Sequence, residues 1–279
     1  MQKAITIPDI VQAKNKRKLT MLTAYDYPTA HLVDKCALDM ALVGDSLAMA
    51  VLGHEDTLSV DTDIMIHHAK AVKKGCNYSL VVADMPFLSY QVSTEQAIQN
   101  AGRLRKEAGV DAVKVEGCDS ILPQLQGIIQ AGIPVQGHLG LTPQSAGQVG
   151  GFKVQAKSLD AARKLIQDAQ TLEQAGCFSI VLEAVPAQIA AKVTQKVSIP
   201  TIGIGAGANC DGQVLVFHDL LGLFDKFLPK FVKQYANLSE DIQNALQKYK
   251  QDVEQGIFPG EEHCFSADEN LLRDLDQEE

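Results

Sequence analysis

Short apolar, β-branched runs alternate with longer segments of helical period along this chain, from residue 19 to residue 219. The short runs predict strands at Leu19–Ala24, Met40–Gly44, Ser79–Ala83, Ala112–Glu116, Pro134–His138, Ser179–Glu183, Thr201–Ile204 and Val214–His218. Helices are predicted between them at Pro28–Leu38, Asp61–Gly75, Thr94–Gly109, Ser120–Ala131, Leu159–Ala175 and Ala187–Val197. Four of these end near a glycine suited to a left-handed cap, in KKGCN, KEAGV, IQAGI and EQAGC. Strands that alternate with helices imply a parallel sheet covered on both faces. Eight such units favour closure into a single-domain (β/α)8 TIM barrel. The second choice, a flavodoxin-like or Rossmann sheet, wants a glycine fingerprint at the first strand–helix junction, which here reads LTAYDYPTA. A further helical stretch is predicted over Phe224–Tyr249. Residues 1–260 then form the barrel with its C-terminal helices, and 261–279 an acidic, mobile tail.

Composition narrows the partners. At 279 residues the chain is the size of one barrel, and 46% hydrophobic residues are enough to fill it. A formal charge of −9 argues against nucleic acid, which needs a basic stripe. Only Lys14–Lys18 (KNKRK) is locally basic, and it reads as a solvated loop. No apolar run approaches the roughly 20 residues of a membrane span, and the N-terminus does not read as a secretory signal. Six cysteines without a C-x-x-C pair fit reduced thiols in the cytosol.

The chemistry of a barrel sits where its strands end. Asp45 follows the second predicted strand and Asp84 the third; Lys114 and Glu116 close the fourth, His138 the fifth and Glu183 the sixth, and His218 and Asp219 lie at the eighth. One such residue is weak evidence, since aspartate at a strand end often caps the next helix. Six of eight strands ending this way on one rim are hard to explain as caps. Asp45, Asp84 and Glu116 would repel one another unless a cation such as Mg²⁺, a shared proton or Lys114 neutralised them. Lys114 and Glu116, two apart on one strand, both point into the barrel. Glu183, between SIVL and AVP, is expected in less polar surroundings, which raise a carboxyl pKa and suit it to proton transfer; a salt-bridged glutamate is the alternative. His138 in GHLGLTP either donates to a substrate oxyanion or serves packing. His67 and His68 fall mid-helix and read as solvated or packing residues. Gly203, Gly205 and Gly207 of IGIGAG either seat an anion or make a tight turn.

With these residues in place, the chain closely resembles the ketopantoate hydroxymethyltransferase (3-methyl-2-oxobutanoate hydroxymethyltransferase) family, from LTMLTAYDYPTA at residue 19 to FPG at residue 260. The most specific stretches are LVGDSLAMAVLGH, VVADMPFLSY, AVKVEGC, GIPVQGHLGLTPQS, IVLEAVP and IPTIGIGAGANCDGQVLVFHDLLG. The resemblance implies a (β/α)8 barrel and a cytoplasmic enzyme of pantothenate biosynthesis that forms a homo-oligomer, typically a decamer. It implies Mg²⁺ on Asp45, Asp84 and Glu116, keto-acid contacts from Asp45, Ser46, Asp84 and Lys114, and Glu183 as proton acceptor. His138 would assist at the oxyanion. The implied reaction passes a one-carbon unit from 5,10-methylenetetrahydrofolate to the enolate of 3-methyl-2-oxobutanoate, giving 2-dehydropantoate. Ala48, Cys118 and Gln136 depart from the family pattern beside these positions, and Ala48 is expected to alter the loop after the second strand. A keto-acid lyase or mutase of the phosphoenolpyruvate mutase and isocitrate lyase type is the alternative, but its KKCGH loop motif is absent. A silent barrel scaffold is a third reading; it predicts loss of the rim ionisable residues, which are all present.

Overall fold

The computed structural model describes residues 3–145, 153–223 and 228–277. Eight parallel strands close into a barrel in sequence order, the first pairing the last. They are β1 (Leu19–Thr23), β2 (Met40–Val43), β3 (Leu80–Asp84), β4 (Ala112–Glu116), β5 (Val135–Gly140), β6 (Ser179–Glu183), β7 (Thr201–Ile204) and β8 (Gly212–Leu215). The α-helices among the described residues are α1 (Ile7–Gln12), α2 (Tyr27–Lys35), α3 (Leu47–Ala50), α4 (Thr62–Gly75), α5 (Thr94–Arg103), α6 (Leu122–Gln130), α7 (Leu159–Ala175), α8 (Ala187–Lys196), α9 (Phe217–Leu220), α10 (Leu238–Glu254) and α11 (Glu269–Asp276).

Alternation along each strand sorts side chains into two layers. Outward residues such as Val43, Val81, Val113, Val115 and Leu182 pack with Val33, Met65, Val72, Ile128 and Leu172 of the helices. Inward residues form a second cluster that includes Met21, Met40, Leu80, Val82, Ala112 and Val214. Toward the carboxyl ends of the strands the buried residues become polar: Thr23, Asp84, Lys114, Glu116, Gln136 and His138. The lumen thus has an apolar floor and a charged top.

That floor is sealed by α1, which the periodicity did not predict. Thr6 and Asp9 form a capping box at its start, and a proline opens the first turn. Ile10, fully buried, joins the inward cluster with Ala13. The basic stretch that follows is exposed from Asn15 to Lys18, as a solvated loop is, yet three of its cations also form a clasp. Lys14 Nζ meets Asp211 Oδ2 at 2.7 Å and the Thr194 carbonyl at 2.7 Å. Arg17 pairs with Asp39 at 2.6 Å, and Lys18 donates to the Cys210 carbonyl at 2.5 Å. Ile10→Ala should lower the stability of the protein by about 2–5 kcal/mol, the cost of a large cavity in a packed floor. Urea denaturation checks this, and an unchanged midpoint would mean that α1 is not a structural plug.

Several boundaries differ from the sequence reading. The last strand is Gly212–Leu215, starting two residues and ending three residues before the expected Val214–His218, and at its start Gly212 lies so close to β1 that a Cβ would meet the Leu19 carbonyl at 2.7 Å. His218 and Asp219 consequently lie on α9, not at a strand end. The predicted helix Thr94–Gly109 finishes in a π turn, Leu104–Ala108, before left-handed Gly109. Gly75 is the last residue of α4 rather than a cap, and its missing side chain admits Ala30 and the Tyr27 carbonyl. Of Phe224–Tyr249, residues 224–227 lie outside the described residues, 228–237 are not helical, and α10 begins only at Leu238. The acidic tail contains a 3-10 turn, Glu261–His263, and α11.

Candidate active site

The polar top of the lumen is built by register. Asp84 pairs in the sheet with Lys114, Lys114 with Gln136, Glu116 with His138, and Gly140 with Glu183. These side chains therefore stand in adjacent staves. Asp45 reaches the same ring from the turn after β2, where a Cβ on Gly44 would lie 2.8 Å from Ser46 Oγ. Asp45, Asp84, Lys114, Glu116 and His138 are all buried, and Glu183 keeps 15% of its side chain exposed.

The contacts run as a chain round the ring. The Asp45 amide donates to Asp84 Oδ2 at 3.0 Å, and Asp84 Oδ1 lies 3.0 Å from Lys114 Nζ. Lys114 Nζ is 3.1 Å from His138 Nδ1 and 3.7 Å from Glu116 Oε1. His138 bridges two carboxylates, with Nδ1 3.2 Å from Glu116 Oε1 and Nε2 3.2 Å from Glu183 Oε2. Ser46 Oγ is 2.8 Å from the Tyr25 hydroxyl. Glu183 therefore sits against an imidazole, not in the apolar pocket expected from SIVL and AVP. Its backbone is held on both sides: Leu141 N–H donates to the Glu183 carbonyl, and Ala184 adopts a left-handed conformation with φ 49°.

Electrostatics explain the arrangement. Burial, with Asp84 and Glu116 nearby, pushes the Asp45 carboxyl well above the usual range. Burial likewise raises Asp84, although Lys114 opposes it. Glu116 goes the other way: burial is outweighed by His138, Lys114 and the Gln144 amide. Burial and the Lys114 ammonium draw His138 down, but Glu116 and Glu183 overcome them and lift it to about 9. Four carboxyl groups thus face two basic groups. Asp84 Oδ1 is buried without an aligned hydrogen bond, and Asp45 Oδ1 receives none from the described residues. Such a donor set fits a hard divalent cation.

Other clusters are accounted for locally. The acidic and thiol atoms that approach within 4.8 Å of one another as a trio, among the described residues, are those of Cys118, Asp119 and Asp168. Lys164 already bridges that pair of aspartates, so the cluster is neutralised. The rim carboxylates stand farther apart, with the Lys114 ammonium among them. Of the IGIGAG glycines, Gly205 and Gly207 take left-handed conformations with φ 64° and 82°, as a tight turn requires, and a Cβ on Gly205 would strike the Phe231 ring and one on Gly207 would strike Ala187. Ala48 is fully buried within α3, in a helical backbone that does not need glycine. His68 packs through a 2.6 Å contact with the Tyr25 carbonyl, and His67 is exposed.

Two groups escaped the sequence reading. Gln144 and Tyr90 are buried in the ring and touch its carboxylate-bearing segments. Both lie in quoted stretches, GHLGLTPQS and VVADMPFLSY, but neither carries the charge by which rim residues were sought.

The family model described as ketopantoate hydroxymethyltransferase matches residues 4–261. A 3-methyl-2-oxobutanoate hydroxymethyltransferase of Syntrophobacter fumaroxidans is 59% identical, over 96% of this chain and 95% of its own. One from Oleidesulfovibrio alaskensis is 58% identical, over 97% and 94%. Among solved structures, a phosphonopyruvate hydrolase superposes with a TM-score of 0.61 at 9% identity, covering 98% of this chain and 96% of that one. A 2,3-dimethylmalate lyase does so with 0.58 at 13%, covering 99% and 100%. The last two show a shared barrel fold.

Proposed function

The chain belongs to the ketopantoate hydroxymethyltransferase family, and from that premise we propose that its rim transfers a hydroxymethyl unit from 5,10-methylenetetrahydrofolate to 3-methyl-2-oxobutanoate. The product is 2-dehydropantoate. The observation that carries this reading is the buried ring in which Asp45 and Asp84 lie beside Lys114, with Glu183 at its one partly exposed edge.

Asp45, Asp84 and Glu116 would hold Mg²⁺. When bound, the ion supplies Lewis acidity toward the carboxylate and keto oxygens of the substrate. Asp45 and Asp84 each have an oxygen free of aligned hydrogen bonds, whereas Glu116 already engages Gln144 and His138. Ser46 and Lys114 would contact the keto acid, Lys114 balancing its charge. Glu183 takes the proton from C3, leaving an enolate whose carbon attacks the methylene group of the folate. Water then completes the hydroxymethyl group as tetrahydrofolate departs. His138 is anchored through Nδ1 on Glu116, and its Nε2, which lies 3.2 Å from Glu183 without an aligned hydrogen bond, would be the donor toward the oxyanion. The shared barrel alone also suits the mutase and lyase chemistry of its structural neighbours, but relatives above 50% identity carry the hydroxymethyltransferase name, and KKCGH is absent. Folate-dependent turnover of 3-methyl-2-oxobutanoate, stopped by a chelator and restored by Mg²⁺, is the test. Absence of turnover with both substrates and metal present would defeat the reading.

Assembly is part of it. Among the described residues after β8, only the four-residue α9 follows the barrel wall before α10, and α10 buries none of its 17 residues. Yet Ile242, Leu246, Tyr249 and Val253 recur along one of its faces. This stripe, with exposed Phe231 and Tyr235 ahead of it, supports a homo-oligomer, for which the family suggests a decamer. Light scattering at micromolar concentration should give a mass several times 30.1 kDa; a monodisperse monomer would contradict it. No helix among the described residues is long and apolar enough to cross a membrane. Six unpaired thiols support a reducing, cytoplasmic setting.

A further inference from the structure

Each candidate metal carboxylate is oriented by a single uncharged donor. For Asp84 that donor is the amide of Asp45, at 3.0 Å. The other two depend on one residue. Gln144, on a single 3-10 turn at 143–145, donates its backbone N–H to Glu116 Oε2 at 3.0 Å and its side-chain Nε2 to Asp45 Oδ2 at 2.9 Å. The ends of β2 and β4 are therefore tied to the loop after β5 through the same glutamine.

Its amide has no freedom to turn over. The second Nε2 proton goes to the Met85 carbonyl at 2.9 Å, which can only accept. Oε1 accepts from the Tyr90 hydroxyl at 2.9 Å and from Gln91 Nε2 at 3.3 Å. Tyr90 in turn accepts from the Glu116 N–H at 3.0 Å, and Gln144 Oε1 at 2.9 Å is the nearer of two acceptors for its own proton, the Glu116 carbonyl lying at 3.3 Å. All four hydrogen-bonding positions of the amide are filled, and the Met85 carbonyl, which can only accept, fixes the orientation that the Tyr90 proton supports from the other side. A flipped amide would set an oxygen against both Asp45 and the Met85 carbonyl.

From this geometry, and resting on the reading of Asp45 and Glu116 as metal ligands, we propose that Gln144 is the positioning residue of the metal site, with Tyr90 as the group that sets its orientation. Gln144 fixes Oδ2 of Asp45 and thereby presents Oδ1 to the ion. Outer partners of this kind commonly govern metal affinity by about 10- to 100-fold.

Mn²⁺ titration followed by electron paramagnetic resonance tests this without any turnover. Gln144→Met keeps the length and the backbone N–H but removes both side-chain donors; it should bind Mn²⁺ about tenfold or more weakly than the parent. Tyr90→Phe removes only the hydroxyl that orients the amide, and should lose affinity in the same direction by less. It also keeps the test alive if the Met variant fails to fold. Thermal melting of the metal-free proteins reports the packing contribution separately, because a merely structural glutamine lowers the melting point and leaves affinity alone. Variants that are native by circular dichroism and bind Mn²⁺ like the parent would overturn the positioning role. A parent that binds no Mn²⁺ would instead overturn the metal reading on which it rests.

Discussion

Glu183→Gln loses the exchange of the C3 hydrogen of 3-methyl-2-oxobutanoate in deuterated water by about 10²-fold or more, the usual scale for a positioned base. Exchange is followed by NMR with enzyme and Mg²⁺ present. If proton removal precedes attack on the folate, it proceeds without the second substrate; an unreactive folate analogue serves as the control for a site that closes only when folate binds. Glutamine keeps the size of the side chain, and His138, whose Nε2 lies 3.2 Å from Glu183 without an aligned hydrogen bond, is held through Nδ1 on Glu116. The imidazole therefore stays in place, and what disappears is the capacity to take a proton. Undiminished exchange in this variant would remove Glu183 as the base and leave His138 or a metal-activated hydroxide to be tried.

Asp45→Ala and Asp84→Ala each abolish Mg²⁺ binding detectable by calorimetry, and turnover falls with it. Both carboxyls are fully buried beside each other and beside Lys114, and burial holds both above their ordinary pKa. Two such groups are costly to keep without a cation to balance them. Losing either leaves a pair of hard ligands at most, too few to compete with water for Mg²⁺. Asp84→Asn is the companion variant, because it preserves the acceptor for the Asp45 amide while removing the charge. Near-normal Mg²⁺ affinity in either alanine variant would show the ligand assignment to be wrong.

How legible was all this? Ala112–Glu116, Ser179–Glu183 and Thr201–Ile204 coincide end to end with the predicted strands. Each is a short apolar run with clear punctuation on both sides. The eighth strand was displaced because the apolar run VLVF continues past the sheet into α9, and periodicity does not mark that corner. Helix α1 has six residues, too few for a periodic signal, although its T-x-x-D box and proline were there to be read. In the site, charge at strand ends located Asp45, Asp84, Lys114, Glu116, His138 and Glu183 in one ring. What charge cannot reveal is a neutral residue brought in by tertiary folding, and Gln144 lies 99 residues from the Asp45 it holds. The surroundings of Glu183 differ from the sequence expectation for the same reason: its neighbours in sequence are apolar, but its neighbour in space is His138.

The Lys14–Asp211 clasp has a temporal side. The two residues are 197 apart in the chain, so Lys14 leaves the ribosome well before its counter-ion exists. At about 5–20 residues per second the gap is about 10–40 s. Throughout that interval β1 also lacks β8, the neighbour on its other edge, and Ile10 has no finished lumen to fill. The segment that carries Ile10 and Lys14 is thus made long before it can find its place, and a nascent chain halted before residue 211 should offer that segment to a protease or a chaperone, whereas the released protein should not.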